Sequence, residues 1–250
     1  MSGHSKWAKI HRAKETSDQK RGQSFTKLSN AITMAVREGN GIADTEFNFR
    51  LRLAVEKARE ANMPKDNIQR AIDRAAGKGE GNSFEEITYE GYGPGGVGFL
   101  VQSVTDNKQR TVQEVKNIFD RAGGSVASPG SVSFNFKNVG YLSVNAGGNP
   151  DEKMLELMDL GVEDIEDEGD GLLAVYTNSS DLASIREKII QKNMPVKTAE
   201  IIMKPINFAP VANEKTVDQV LSLVDKLEAL DDVQKVFINL DVPEELVKEQ

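Results

Sequence analysis

The residue types best suited to chemistry gather at the N-terminus. Lys6, Trp7, Lys9, Arg12, Lys14, Lys20, Arg21 and Lys27 put seven cations around the only tryptophan of the chain. Up to residue 22 this arm has no hydrophobic period. Cations neutralise phosphates and release condensed counterions, and an indole face stacks on an unpaired base. The arm therefore points to nucleic-acid binding rather than to bond-making. The competing reading is a solvated tail in which Trp7 anchors the arm to the helices that follow. Arg70, Arg74 and Lys78 recur every four residues, and Arg50 with Lys57 and Arg52 with Arg59 lie two helical turns apart. Stripes of this kind are commonly solvated helix faces. In a basic domain they also extend a phosphate-contacting surface.

Gly91-Tyr92-Gly93-Pro94-Gly95-Gly96 matches G-x-G-x-x-G. A dinucleotide site needs a helix after that motif, whose N-terminus faces the pyrophosphate. Val97-Gly98-Phe99-Leu100-Val101 reads instead as a second strand, so the expectation is a shaped loop. Tyr92, Gly93, Pro94, Gly95 and Gly96 are its candidate contacts with a ligand or an RNA backbone. His4 and His11 are the only histidines and cysteine is absent, so zinc chemistry lacks its usual ligands. No metal, cofactor, catalytic residue or small-molecule substrate is expected, and no P-loop, G-x-S-x-G or H-E-x-x-H pattern occurs. Glu163, Asp164, Glu166, Asp167, Glu168 and Asp170 lack the ligand order of a calcium loop. They read as a solvated strand edge, or as a patch whose repulsion keeps that region off phosphate.

The charge distribution sharpens the picture. The chain of 250 residues has a net charge of −8. Residues 1–78 hold 16 Lys/Arg against 9 Asp/Glu, a net of +7, while residues 79–250 carry −15. One end suits polyanions and the rest does not. The N-terminus has no signal-like apolar stretch and no run approaches a membrane span. A cytoplasmic protein without membrane contact is the expectation.

These residues must be positioned by folded elements. Apolar spacing over Phe25, Leu28, Ile32, Ala35 and Val36 predicts a first helix. A second is expected from Asp44 or Thr45, with Phe47, Leu51, Ala54, Ala58 and Ala61 on its inner face. A third follows Asn62-Met63-Pro64, with Pro64 in its first turn, buries Ile68, Ala71, Ile72 and Ala75, and is capped by Gly77. Strands are expected over Ile87–Glu90 and Val97–Val104. A helix opened by the capping box Thr111-Val112-Gln113-Glu114 comes next, then a strand through Val132, Phe134 and Phe136. Tyr141–Val144, Asp151–Leu160, Val162–Glu166, Leu172–Thr177, Leu182–Lys192 and Val196–Met203 read as β-α-β-β-α-β, the ferredoxin-like order. A second capping box, Thr216-Val217-Asp218-Gln219, opens a helix that precedes a strand over Val233–Asn239.

The fold class expected is α+β: an N-terminal three-helix domain plus two ferredoxin-like α/β domains, one inserted into the other. The boundaries are 1–80 for the basic arm and helices, 81–138 with 206–240 for the middle domain, 139–205 for the insertion, and 241–250 for a charged tail.

Several blocks resemble the YebC/PmpR family over essentially the whole chain. They are Gly3-His4-Ser5-Lys6-Trp7, Phe25-Thr26-Lys27-Leu28, Ala61-Asn62-Met63-Pro64-Lys65-Asp66-Asn67-Ile68, Gly93-Pro94-Gly95-Gly96-Val97, Thr105-Asp106-Asn107 and Asp231-Asp232-Val233-Gln234. Lys108 stands where the family pattern has arginine, and Ser125-Val126-Ala127-Ser128-Pro129 differs from its glycine-rich turn. The resemblance implies three domains and a DNA-binding transcriptional regulator. Relatives of the family, mitochondrial ones included, are activators of translation, which keeps ribosomal or transfer RNA and the ribosome open as partners. The residues themselves lean slightly toward RNA, because no helix-turn-helix spacing is evident and the arm and glycine loop suit unpaired bases.

Overall fold

A computed structural model of the chain describes residues 25–77, 84–147, 149–211 and 213–242. Three helices open it: α1 (Phe25–Glu38), α2 (Phe49–Glu60) and α3 (Lys65–Ala75). Their inward stripes meet in one apolar core containing Leu28, Ile32, Val36, Leu51, Val55, Met63, Ile68 and Ile72. The second helix begins later than its apolar spacing suggests, because Asn48 sets its start. The Asn48 carbonyl oxygen accepts from Leu51 N at 3.0 Å, while its amide donates to Ala35 O and Ile42 O at 2.8 and 2.9 Å. Asp44 instead folds a tight turn, its Oδ1 accepting from Glu46 N at 2.8 Å. Phe47, expected on the core face, consequently stands outside the helix and is 76% exposed. Pro64 occupies the position before the first turn of α3, Ala76 caps its end, and Gly77 stands just beyond with φ of 76°.

The middle sheet contains β1 (Glu85–Tyr92), β2 (Gly98–Thr105), β3 (Ser125–Ala127) and, much later in the chain, β9 (Val233–Ile238), in the order β3-β1-β2-β9. Helix α4 (Lys108–Arg121) sits between β2 and β3 in sequence. Neither expected capping box starts its helix. Asn107 caps α4 by accepting from Arg110 N at 3.1 Å, which leaves Thr111 a full turn inside and completely buried. Asn213 likewise caps α7 (Glu214–Glu228), accepting from Thr216 N at 2.8 Å. An asparagine oxygen reaches the same orphan amides as a threonine hydroxyl, and here it stands a turn ahead.

The strand expected through Val132, Phe134 and Phe136 does not form. Ser133–Asn135 is a single 3-10 turn, with Val132 buried and Phe134 63% exposed. The cause is the carboxylate of Glu90, which accepts from Gly130 N (2.8 Å), Val132 N (2.5 Å) and Ser133 N (3.0 Å). Backbone donors that a strand would use are held by one side chain. The third strand of this sheet is instead Ser125–Ala127, paired with β1.

Phe136 opens β4 (Phe136–Asn145), a strand five residues longer at its start than the apolar pattern suggests. With α5 (Pro150–Met158), β5 (Asp164–Gly169), β6 (Leu172–Asn178), α6 (Leu182–Gln191) and β7 (Val196–Pro205) it builds an antiparallel sheet in the order β5-β6-β4-β7. That is the ferredoxin-like arrangement anticipated from the element order. Residues Phe136–Phe208 form one compact unit, and the described residues before and after them form a second. In the latter, β8 (Ala209–Pro210) pairs in parallel with β10 (Leu240–Asp241), which returns the chain beside the point where the insertion ends.

The acidic run of the insertion is only partly a solvated edge. Asp164 and Asp167 are exposed on edge strand β5, yet Glu166 and Glu168 are 7% and 3% exposed. Glu168 accepts from the Tyr141 hydroxyl at 2.8 Å, and Lys204 Nζ donates to Glu166 and Asp164 at 2.9 Å each. Alternation puts residues 164, 166 and 168 on the face that carries Tyr141 on β4 and Tyr176 on β6 and Asp167 on the other; Asp164, first in the strand, is the exposed member of its face. Burial, followed by the Glu166 carboxylate, pushes the Tyr176 hydroxyl far above its ordinary pKa, so it stays a neutral donor.

Candidate nucleic-acid interface

The proposed phosphate-binding residues divide into those the structure describes and those it does not. Lys6, Trp7, Lys9, Arg12, Lys14, Lys20 and Arg21 lie outside the described residues. Lys27 sits in the first turn of α1, half-buried, and its ammonium donates to the carbonyl of Glu228 at the end of α7. A cation there meets the carbonyls that a helix C-terminus leaves without partners. Lys27 thus fastens the helical bundle to α7, and any phosphate it met would compete with that bond. Arg37 makes a similar tie, donating to the carbonyl of Phe84 at the head of β1.

Arg70 and Arg74 are both exposed on α3, one turn apart. The guanidinium of Arg70 bends back along its own helix, with Nε donating to Asp66 O at 3.2 Å and a second nitrogen to Asn67 Oδ1. Those are local bonds that leave the group at the surface. The stripes on α2 split by role. Arg52 donates from Nε to Thr45 O at 3.0 Å and from Nη2 to Glu46 O at 3.2 Å, so it pins the loop before the helix. Its guanidinium also lies 5.8 Å from the Phe49 ring centroid. Arg50 pairs with Glu38. Lys57 and Arg59 remain exposed. Across residues 25–77 the bundle carries 9 Lys/Arg against 7 Asp/Glu, so most of the positive excess lies in the arm.

The glycine loop is a hairpin connection between two strands of one sheet, as its sequence context requires, with no helix to receive a pyrophosphate. Gly93 N donates to Val97 O at 2.8 Å, closing the turn, and Tyr92 donates its hydroxyl to Ser131 O at 2.6 Å. A Cβ on Gly93 would come within 2.5 Å of the Phe99 ring, and one on Gly95 within 2.9 Å of Thr216 Cγ2. These two glycines serve packing against the domain's own interior. Gly96, with φ of 75° and open space around it, is exposed, as is Gly95, while Pro94 is half-buried. The exposed part of the loop is therefore its Gly95–Gly96 tip, flanked by the exposed edge of Tyr92.

The middle domain holds two buried carboxylates. Burial raises the Glu90 carboxyl, but the three backbone donors from Gly130, Val132 and Ser133 outweigh it and hold the pKa below its ordinary value. Asp232 is lowered in the same manner: burial opposes, while hydrogen bonds from Arg110, Thr111 and Thr105 prevail. Its Oδ2 accepts at 2.7 Å from Arg110, 2.7 Å from the Thr111 hydroxyl and 3.0 Å from the Thr105 hydroxyl. Both acids are satisfied internally, which is the arrangement of structural clamps rather than of a general acid or base. Among the described residues no group of three His, Cys, Asp or Glu could hold a metal ion, and no helix is long and apolar enough to cross a membrane.

Residues 5–78 match the family model described as the TACO1/YebC protein N-terminal domain, and residues 84–240 match that of the TACO1/YebC second and third domain. The chain belongs to the TACO1/YebC family. A TACO1/YebC relative from Chloroflexus aggregans, named a probable transcriptional regulatory protein, is 48% identical, covering 99% of this chain and 98% of its own. One of the same name from Halothermothrix orenii is 44% identical over 100% and 98% of the two chains. The crystal structure of a conserved hypothetical protein from Aquifex aeolicus superposes with a TM-score of 0.81 at 41% identity, covering 93% of this chain and 95% of that one. The TACO1/YebC N-terminal match takes in every arm cation together with the three helices.

The exposed Phe47 loop was hidden from sequence reasoning. Its signal was Asn48, a strong helix-capping type directly after an aromatic, which moves Phe47 out of the helix and off the core face.

Proposed function

We propose that this chain is a nucleic-acid-binding regulator of gene expression that grips phosphates through its basic arm and helical bundle. The observation that carries the reading is the charge split: a net of +7 over residues 1–78 against −15 over the remainder. Such a split favours contact of a polyanion with residues 1–78 over the acidic remainder. Transcription is the first setting, supported by the relatives named probable transcriptional regulatory proteins. A second setting, RNA of the ribosome or transfer RNA, is favoured by the exposed aromatic ring of Phe47 within the basic domain, since stacking suits unpaired bases. Neither setting asks for catalysis, and the internally satisfied acids fit a binding protein.

Crosslinking in growing cells, followed by sequencing of the recovered DNA and RNA, tests the reading. Enriched promoter DNA supports transcriptional regulation, enriched ribosomal or transfer RNA supports the translational setting, and enrichment of neither sinks the proposal. In vitro, five arm cations on phosphates give log K a slope against log salt of about −3.5 to −4.5. Alanine at Lys6, Lys9, Arg12 and Lys14 together is expected to weaken binding to all sequences alike. Unchanged affinity in that variant would clear the arm of its role.

A further inference from the structure

Between α2, α3 and the loop before α2 lies an open cleft of about 550 Å³. Its floor is apolar: Val55, Met63, Ile68 and Ile72 reach it from the bundle core. Arg59 and Lys65, both exposed, stand among its lining, as do Gln69 and the loop residues Asp44 and Thr45. The volume falls in the range of small-ligand sites, and the combination of an apolar floor with cations at the mouth matches a flat heterocycle attached to a phosphate. Asp44 is the one acid in the lining. Its Oδ1 accepts from Glu46 N, which leaves its other oxygen able to accept from a base amino group.

The loop that forms one wall is held by bonds from both ends. Asn48 donates to Ile42 O, Arg52 donates to Thr45 O and Glu46 O, and Asp44 closes the turn between them. A loop tied down this way can bury its large apolar side chain, yet Phe47 stays 76% exposed two residues beyond Thr45. An exposed ring two residues from the wall of a cationic cleft offers a face on which a base can stack.

We infer that this cleft takes an unpaired base of single-stranded nucleic acid, with flanking phosphates on Arg59 and Lys65 and a neighbouring base stacked on Phe47. The inference rests on the nucleic-acid reading above and deepens it: the helical bundle distinguishes an unpaired strand from a duplex, whereas the arm grips either.

Fluorescence anisotropy with the full chain tests it, using short single-stranded ribo- and deoxyribo-oligonucleotides and the duplex of the same sequence. Phe47→Ala is expected to weaken single-strand binding by about 5- to 150-fold, the range for losing one base–aromatic stack. Duplex affinity should stay within about 2-fold. Phe47→Tyr, which keeps a stacking face, restores binding. Thr45→Trp, which fills the cleft without removing a charge, reproduces the loss. Arg59→Ala with Lys65→Ala flattens the salt slope on single strands by about 1.4, at about 0.7 per cation, while Phe47→Ala leaves the slope as it was. Thermal unfolding of each variant, unchanged from the parent, keeps folding out of the comparison. Single-strand binding at parent strength by both Phe47→Ala and Thr45→Trp overturns the cleft while leaving the arm's role standing. A parent chain that binds neither strand form overturns both. Preference between the ribo- and deoxyribo-oligomers identifies which polymer supplies the base.

Discussion

Single side chains do much of the shaping in the middle domain. Glu90 replaces a stretch of β-ladder by collecting three backbone amides, and Asp232 ties the N-terminal turn of α4 to the segment that leads into β9. Both carboxyls titrate below their ordinary values, Glu90 because backbone donors overcome burial and Asp232 because Arg110 and two threonines do. A lowered folded-state pKa means that the unfolded chain binds the proton first as pH falls. Each group therefore contributes its stability above the ordinary carboxylate range, about pH 4, and loses it as pH falls through the folded value. Urea unfolding across pH should show the parent losing stability more steeply in acid than Glu90→Gln. At neutral pH that substitution is expected to cost about 1–3 kcal/mol, since one amide of the Gly130–Ser133 turn is left without its acceptor. Hydrogen exchange at Gly130, Val132 and Ser133 reads the loss directly.

At the scale of elements, caps decide where helices begin. Asn48 is the clearest case, because it serves the α2 N-terminus through its oxygen and two loop carbonyls through its nitrogen. Asn48→Ala is expected to destabilise the bundle by about 1–3 kcal/mol, combining a lost cap with the lost side-chain donor to Ile42 O, while Ala35 O keeps its bond from Gly39 N. Asn48→Asp keeps the cap acceptor and removes the donors, so thermal unfolding of the pair separates the two contributions. The same residue explains why the fold was mostly legible in the sequence and the loop was not. Hydrophobic period located all three helices and the six elements of the insertion, because burying a stripe or a face is a property of many residues acting together. Starts depended on single polar groups. Thr111 and Thr216 fitted the capping pattern, but Asn107 and Asn213 reached the amides first, and only the folded geometry ranks them. Phe134 failed as a strand residue for the same reason, since a glutamate more than 40 positions earlier had claimed its neighbours' amides. The site was legible as charge and illegible as shape. The basic bias of residues 1–78 is a count, whereas the exposure of Phe47 and the cleft beside it depend on where α2 begins.

For the whole molecule, the polarity of charge sets how it meets a partner. On the proposed function, the acidic residues 79–250 disfavour the polymer that the basic residues 1–78 would attract, so orientation should be biased by long-range forces before contact forms. Association of the parent chain with nucleic acid is expected to slow steeply as salt rises, and stopped-flow mixing at several ionic strengths measures it. Neutralising acids on the exposed side of the insertion, Asp167→Asn for example, should leave the equilibrium affinity nearly unchanged while raising non-productive binding to unrelated duplex DNA.

The partnership of β4 and β7 has a kinetic meaning as well. Phe136 faces Pro205 across the ladder, so the insertion leaves and rejoins its host through two neighbouring strand ends. Strands β1 and β2 are made before the insertion and β9 after it, and the host sheet closes only when β9 reaches β2. With the insertion unfolded, that closure spans the 127 residues between Thr105 and Val233; with it folded, its 73 residues drop out and 54 remain. The saving in chain entropy is about 0.8 kcal/mol. An insertion that folds on its own thus shortens the span its host must close, so lengthening a turn inside the insertion leaves the closure entropy of the host sheet unchanged.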